Sequence, residues 1–341
     1  MKILFSTCRN PDFETITEYI EYALRGLGHE VLWFDDRDYK IPGRLRARFP
    51  FLEKFDLGRM NKRLVRVAQK WKPDLILEAG GERILPGALQ TLHGLGVKTA
   101  LWTIDALRPG DRRPALAEKF DYVFCGGTEM LMALQGRPLR RPPVWLPFAC
   151  DPARHHPVQL SPHEQERYSC DIAFVGSLHP SLYPHRIAML EAVADLNLGI
   201  WGPGAEDLPA SSPLKKCVRG GKTGPGQWMK IYSAAKINLC AHYVPPVQDI
   251  ASNQISPRVY EVAACGGFIL CDARRDLPLL FTPGVEAAVG ATPREMREQA
   301  LYYLAHDDER KAIAAAGRER AMAEHSYRHR LQKLLSVVNT L

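Results

Sequence analysis

The chain has 341 residues, long for one hydrophobic core and comfortable for two. With 46% hydrophobic and 24% charged residues its composition is that of an ordinary soluble globular protein, and no apolar run approaches the length that spans a bilayer. Eight cysteines without a C-x-x-C pair, most of them in or beside apolar runs, argue against a disulfide framework or a zinc site and for reduced, buried thiols in a cytosolic protein.

The opening MKILFSTCRN is too short in its apolar part for a signal peptide and predicts a first strand at Lys2–Phe5. A loop with Arg9, Asn10 and Asp12 leads to an amphipathic helix over about Thr15–Leu27, capped by Gly28, and to a second strand at Val31–Phe34. The net charge of +7 is local: between Lys40 and Lys72 eleven Lys or Arg stand against Glu53 and Asp56, a local +9. Met60, Leu64, Val67 and Trp71 fall there at helical spacing, which sets the basic residues on the opposite face. Such a face suits a solvated surface first, and an anionic membrane or an acidic acceptor second. No stacking or groove-reading motif accompanies it, so nucleic acid is not an expected partner.

KPDLILEAGGE predicts a third strand ending at Glu78, with Gly80-Gly81 allowing close backbone approach. Lys98–Thr103, closing on Asp105, Asp121–Cys125 and Val144–Leu146 supply three more. Strands alternating with helices predict a parallel, doubly wound sheet whose ligands lie outside the strand carboxyl ends. The candidates there are Thr7 to Asp12, Glu78 with Glu82, Asp105, and Gly127 with Thr128. Asp105 fits either a general base on an acceptor hydroxyl or an N-cap of the next segment. His93 reads as a surface helix residue.

Prolines 142, 143, 147, 152, 157 and 162 mark a linker, where His155-His156 have no further ligand at metal-binding spacing. The alternation then restarts. Cys170–Val175 predicts a strand running into Gly176-Ser177, and His185–Ala194 a helix carrying Arg186. Arg186 suits a phosphate contact or an ion pair on its own helix. After a strand at Leu198–Trp201 comes GGKTGPG, which fails the Walker pattern because Lys216 stands where a glycine is needed. It fits a loop near a nucleotide base, with Lys222 as a phosphate contact. A helix at Pro225–Ala235 and a strand at Ile237–Cys240 follow.

Asn253 to Asp272, NQISPRVYEVAACGGFILCD, is the most informative stretch. It predicts a polar loop with Asn253 and Ser256, then Pro257 where a helix starts, then an amphipathic turn and a half over Arg258–Ala264. Gly266-Gly267 stops that helix, and Phe268–Cys271 reads as a buried strand with Asp272 at its carboxyl end. A helix N-terminus so placed attracts anions. Beyond Asp272 come a short helix in RRDLPLLF, a strand at Glu286–Val289, and helices from Pro293 to the end.

Asn253 and Glu261, eight apart with Arg258 between them, resemble the nucleotide-sugar signature of the two-domain (GT-B) glycosyltransferases. SPRVYEVAACGGFIL, DIAFVGS with an Arg about ten residues on, and the crossover WLPFACDPARHHP are more closely similar to the spore-maturation (CgeB-like) glycosyltransferases. This resemblance covers nearly all of residues 170–335 and the first half only in a general way. It implies an α/β fold of two Rossmann-like, doubly wound parallel-sheet domains facing a cleft. These are an acceptor-side domain (1–150), a linker (151–169), a nucleotide-sugar domain (170–325) and a last helix (326–341) packing back on the first domain.

The same resemblance implies a metal-independent, retaining hexosyl-type transfer from a nucleoside diphosphate sugar to a glycan, protein or small-molecule acceptor. Polysaccharide biosynthesis in the cytoplasm, or at the inner face of a membrane contacted through residues 40–72, would be the setting. A UDP sugar is the favoured co-substrate, with GDP or dTDP sugars as alternatives and no permanently bound cofactor. The implied donor contacts are Gly176, Ser177, Arg186, Lys222, Asn253, Ser256, Arg258 and Glu261, with Glu261 on the ribose and His242 and Tyr243 near the sugar. Asp105, Arg186 and Asn253 are the catalytic candidates. Asn253 stands where the signature has an acid and cannot carry negative charge. A non-catalytic nucleotide-sugar-binding protein and a nucleotide-sugar epimerase remain open, although the carboxylates and His an epimerase needs are not found.

Overall fold

In the computed structural model, which describes residues 1–245 and 251–340, the short apolar runs become parallel strands and the stretches between them helices. The chain divides into one unit of Met1–Pro147 with Leu331–Leu341 and another of Phe148–Arg330. In chain order the first unit contains β1 (Lys2–Thr7), α1 (Ile16–Gly26), β2 (Glu30–Asp35), α2 (Gly43–Arg48), α3 (Pro50–Trp71), β3 (Leu75–Ala79) and α4 (Pro86–Gly94). It continues with β4 (Lys98–Thr103), α5 (Arg113–Ala117), β5 (Tyr122–Cys125), α6 (Thr128–Ala133) and β6 (Val144–Trp145). The second unit contains α7 (Pro162–Tyr168), β7 (Ile172–Val175), α8 (Pro184–Glu191), β8 (Leu198–Trp201), β9 (Val218–Gly220), α9 (Pro225–Ala234) and β10 (Ile237–Cys240). Then follow α10 (Pro257–Ala264), β11 (Ile269–Cys271), β12 (Ala288–Val289), α11 (Pro293–Ala305), α12 (Asp307–Glu324) and α13 (Tyr327–Asn339).

The first sheet has the order β2-β1-β3-β4-β5-β6 and is parallel throughout. Its direction of winding reverses between β1 and β3. The second has the order β12-β11-β10-β7-β8-β9, also all parallel, and reverses between β7 and β10. In open α/β sheets the crevice at such a reversal, beyond the strand carboxyl ends, is the usual ligand site. Each sheet is covered by its own apolar core, Leu4, Ile76, Leu101 and Phe120 in one and Ile172, Ile200, Leu239 and Leu270 in the other. From Leu331 onward α13 is counted with the first unit, where Lys98 Nζ and Tyr122 Oη donate to the Val338 carbonyl at 2.8 and 3.2 Å.

Several local expectations change. The turn and a half after Pro257 is not amphipathic: Val259 to Ala264 are all buried, because α12 covers the side of α10 turned away from the sheet. Ser256 is not merely a loop residue but the N-cap of α10, its Oγ accepting from Arg258 N at 3.3 Å. RRDLPLLF forms only a 3-10 turn at Leu277–Leu279, and the strand at its far side shortens to two residues. The helix of Arg186 runs from Pro184 to Glu191, since proline fixes its first turn. Gly266, at φ +74, ends α10, and a Cβ on Gly267 would lie 2.6 Å from Asn238 Nδ2, so both glycines have a steric reason.

Candidate functional site

The carboxyl ends of β7, β10 and β11 bring the basic residues of the second unit together. Arg186 is held by two carbonyls: its Nε donates to Ala241 O at 3.1 Å and its Nη1 to Ser177 O at 3.0 Å. The alternative of an ion pair on its own helix is therefore not what the structure shows. Its guanidinium lies 3.9 Å from the Tyr183 ring centre and 5.5 Å from that of Phe174. Arg258, from the first turn of α10, lies over the same Phe174 ring at 5.2 Å. Its Nη1 is buried and has no hydrogen-bond partner among the described residues. Gly176 is what lets the Arg258 side chain in: a Cβ there would be 2.7 Å from Nη2. Burial, and next the neighbouring Arg258, push Arg186 down to about 10. Neither guanidinium is ion-paired with a carboxylate among the described residues, so two cations share an apolar ring with donors to spare. Such a pair suits an anion with several oxygens.

Glu261 lies one turn further along α10 and is buried. Burial, only partly opposed by Arg258, pushes it up to about 7. No side chain among the described residues hydrogen-bonds its carboxyl group, which leaves it available to a ligand hydroxyl.

Asp272, at the end of β11, organises the neighbourhood. Its Oδ1 accepts from His242 N at 3.0 Å and from His242 Nδ1, and its Oδ2 from His185 Nε2 at 3.0 Å, from Arg274 Nε at 3.0 Å and from Arg274 Nη2. Burial opposes its charge, but His242, His185 and Arg274 hold it well below the usual carboxylate range. Because Nδ1 of His242 donates to Asp272, its Nε2 is the atom left for a ligand; it is buried and without a partner among the described residues. Arg274 in turn donates from Nη1 to Ser252 O at 3.2 Å, and Asp276 N donates to Asn253 O at 3.2 Å. The loop carrying Asn253 is thereby tied to Asp272.

The structure thus brings Gly176, Ser177, Arg186, Ser256, Arg258 and Glu261 into one neighbourhood, with Asn253 on the adjoining loop. Lys222 is exposed on the loop after β9. Asp105, in the first unit, is exposed between β4 and α5, and its carbonyl accepts from Arg113 Nη1 at 2.7 Å. It caps no helix, since α5 begins only at Arg113. Sequence reading gave no role to Asp272, His185 or Arg274; an acid and two bases dispersed over 90 positions have no spacing that signals a cluster. Residues 246–250, which precede the Asn253 loop, lie outside the described residues.

The first unit has a contrasting arrangement. Glu78 points from β3 beside its strand neighbour Ser6, on the face that carries the core. Its Oε1 accepts from Arg83 N at 3.0 Å and Ile84 N at 3.4 Å, while its Oε2, Ser6 Oγ and Asp36 Oδ1 are buried without hydrogen-bond partners among the described residues. Burial pushes Glu78 up to about 8 and Asp36 up to about 6. His93 is not merely a surface residue: its Nε2 is 2.9 Å from Thr99 Oγ1 and 3.2 Å from Asp121. The eight thiols are all free, seven of them buried. Among the described residues no cluster of His, Cys, Asp and Glu could hold a metal ion, and no helix is long and apolar enough to cross a membrane.

Residues 186–336 match the glycosyl transferase-like family. Solved structures with the same fold include a glycosyltransferase from Rickettsia africae (12% identity, TM-score 0.71, covering 100% of this chain and 99% of that one). Anabaena HepE in complex with UDP-glucose is similar over 100% of both chains (13% identity, TM-score 0.70). Sucrose-phosphate synthase from Thermosynechococcus elongatus is similar over 99% and 98% (14% identity, TM-score 0.71). No curated protein matches the chain at a significant level. The fold is accordingly the GT-B fold of two Rossmann-like domains.

Proposed function

We propose that the chain is a glycosyltransferase that moves a sugar from a nucleoside diphosphate sugar, a UDP sugar first among the candidates, to an acceptor hydroxyl. The observation that carries this reading is the buried Arg186 and the half-buried Arg258 sharing Phe174, with a buried Arg258 Nη1 that has no hydrogen-bond partner among the described residues and the buried Glu261 one helical turn away. The family match over residues 186–336 and the UDP-glucose held by HepE support it.

In this reading Arg186 and Arg258, the backbone at Gly176 and Ser177, and the N-terminus of α10 capped at Ser256 stabilise the diphosphate as the glycosidic bond breaks. Glu261 accepts from a ribose hydroxyl. Asn253 and His242 Nε2 face the sugar, Lys222 reaches the phosphates from its exposed loop, and Asp105 takes the acceptor proton. Charge stabilisation by two guanidiniums needs no metal ion, and retention of configuration is the expected outcome.

The test is a titration of UDP, GDP, dTDP, ADP and CMP against wild type and Glu261→Ala. A charge-assisted hydrogen bond is worth roughly 1.5–3 kcal/mol, so one nucleotide should bind and the variant should lose about tenfold or more. Binding of none, or equal binding by the variant, would sink the ribose assignment. Donor hydrolysis or transfer no faster than background, with nucleotide binding intact, would instead leave a non-catalytic binding protein.

A further inference from the structure

A basic surface helix normally turns its apolar residues inward. The first two turns of α3, with α2 before them, do not. Leu45 is 46% exposed, Phe49 41%, and Phe51 and Phe55 66% each. Nowhere else among the described residues do four large apolar side chains so exposed fall within eleven positions. Phe49 and Phe51 stand with ring centres 6.0 Å apart, and the Arg48 guanidinium lies 5.7 Å from the Phe49 ring centre.

The geometry of α3 makes this a continuous face. At 3.6 residues per turn, positions 51, 55, 62 and 66 fall within a sector of roughly 60°. Phe51 and Phe55 are followed along that sector by Lys62 and Arg66, both exposed and without an ion-pair partner among the described residues. Arg44, Arg48 and Lys54, beside the phenylalanines, are also exposed and unpaired among the described residues. The two acids of the segment are turned away: Asp56 is buried and binds Lys40 N, Ile41 N and Arg59, and Glu53 lies 3.7 Å from Arg83. A groove of about 460 Å³ between α3 and α4 opens along the same sector, lined by Gly58, Lys62, Val65, Arg66, Leu85 and Ala88 among others.

We propose that this outer face of α2 and α3 docks on an anionic lipid bilayer. Aromatic rings inserted at the headgroup level supply the apolar part, and the ring of unpaired cations the charge complementarity. A lipid phosphate in the groove would bridge Lys62 and Arg66. A soluble acidic partner would explain the cations, but it gives no reason to expose three phenylalanines to water. The proposal is independent of the transfer reaction, and nucleotide binding in solution does not bear on it.

The experiment is co-sedimentation of the full chain with phosphatidylcholine vesicles, with and without phosphatidylglycerol. Binding is expected only to the anionic vesicles and should weaken with added salt. Each of Lys62→Gln and Arg66→Gln should lower the partition about fivefold, from ~1 kcal/mol per surface cation. The double variant Phe51→Ser/Phe55→Ser should lose at least as much as the two together. It touches only exposed side chains, so its melting temperature should equal that of wild type. Lys215→Gln/Lys216→Gln, an exposed pair in the second unit, serves as the control and should partition unchanged. Absence of binding, equal binding to neutral vesicles, or loss by the control pair equal to that at Lys62 and Arg66 would overturn the proposal. So would a dimer in sedimentation velocity that the phenylalanine variant dissolves, since a second copy would then be what covers the face.

Discussion

The two sheets end in buried acids of opposite character. In the second unit Asp272 receives hydrogen bonds from His242, His185 and Arg274 and stays ionised despite complete burial. In the first, among the described residues Glu78 receives two backbone N–H groups and no side-chain donor, Asp36 lies 4.0 Å from Arg37, and both are pushed towards the neutral form. Burial alone therefore does not set the charge of an acid; the number of donors that come with it does. Asp272 is built to hold neighbouring cations in place, and Glu78 to keep its proton.

Stability should respond in opposite directions. Asp272 has a lowered folded value, so its contribution is present above the ordinary value near 3.8 and is lost as pH falls through the folded value below that. Glu78 has a raised one, so its contribution is lost as pH rises between the ordinary value near 4.5 and about 8.

The largest break in this comparison is Asp272→Ala, which leaves two imidazoles and a guanidinium without their acceptor. Denaturant unfolding at neutral pH should show a loss of about 3–5 kcal/mol, and a loss under about 1 kcal/mol would mean the hub is not structural. Next is Arg258→Ala, expected to weaken nucleoside diphosphate binding about 10- to 100-fold by calorimetry, from the roughly 1.5–3 kcal/mol of a charged hydrogen bond. Unchanged affinity would remove Arg258 from the donor site. Glu78→Gln should behave as the reverse of Asp272→Ala. Above pH 8 it should stabilise by about 1–3 kcal/mol, because a buried charge is no longer forced, and below pH 4.5 it should change nothing. A uniform effect across that range would contradict the neutral form assigned to Glu78. The smallest effect is expected for Lys222→Ala: an exposed cation is worth about 0.5 kcal/mol, so nucleotide affinity should fall roughly twofold.

Much of this is legible in the sequence. The alternation of apolar runs with amphipathic stretches predicts both parallel sheets, and Pro257, the double glycine and the run after it predict the unit that carries Glu261. Arg186 and Arg258 could be singled out because an arginine beside a strand-end glycine or at a helix start has few roles. What could not be read was the company each kept. Asp272 meets His185 and His242 across 87 and 30 positions, and no local pattern encodes that meeting.

The sequence by itself determined the periodicities, and with them the element types, the doubly wound class and the basic excess between Lys40 and Lys72. Local backbone preferences and the apolar period are short-range properties, so they survive in one dimension. Tertiary structure decided which buried acids are charged, because desolvation and donor count depend on neighbours distant in the chain. It also decided that α10 is buried on all sides and that Phe51 and Phe55 are not. Burial depends on which other element comes to cover a face, which the pattern along that face does not specify.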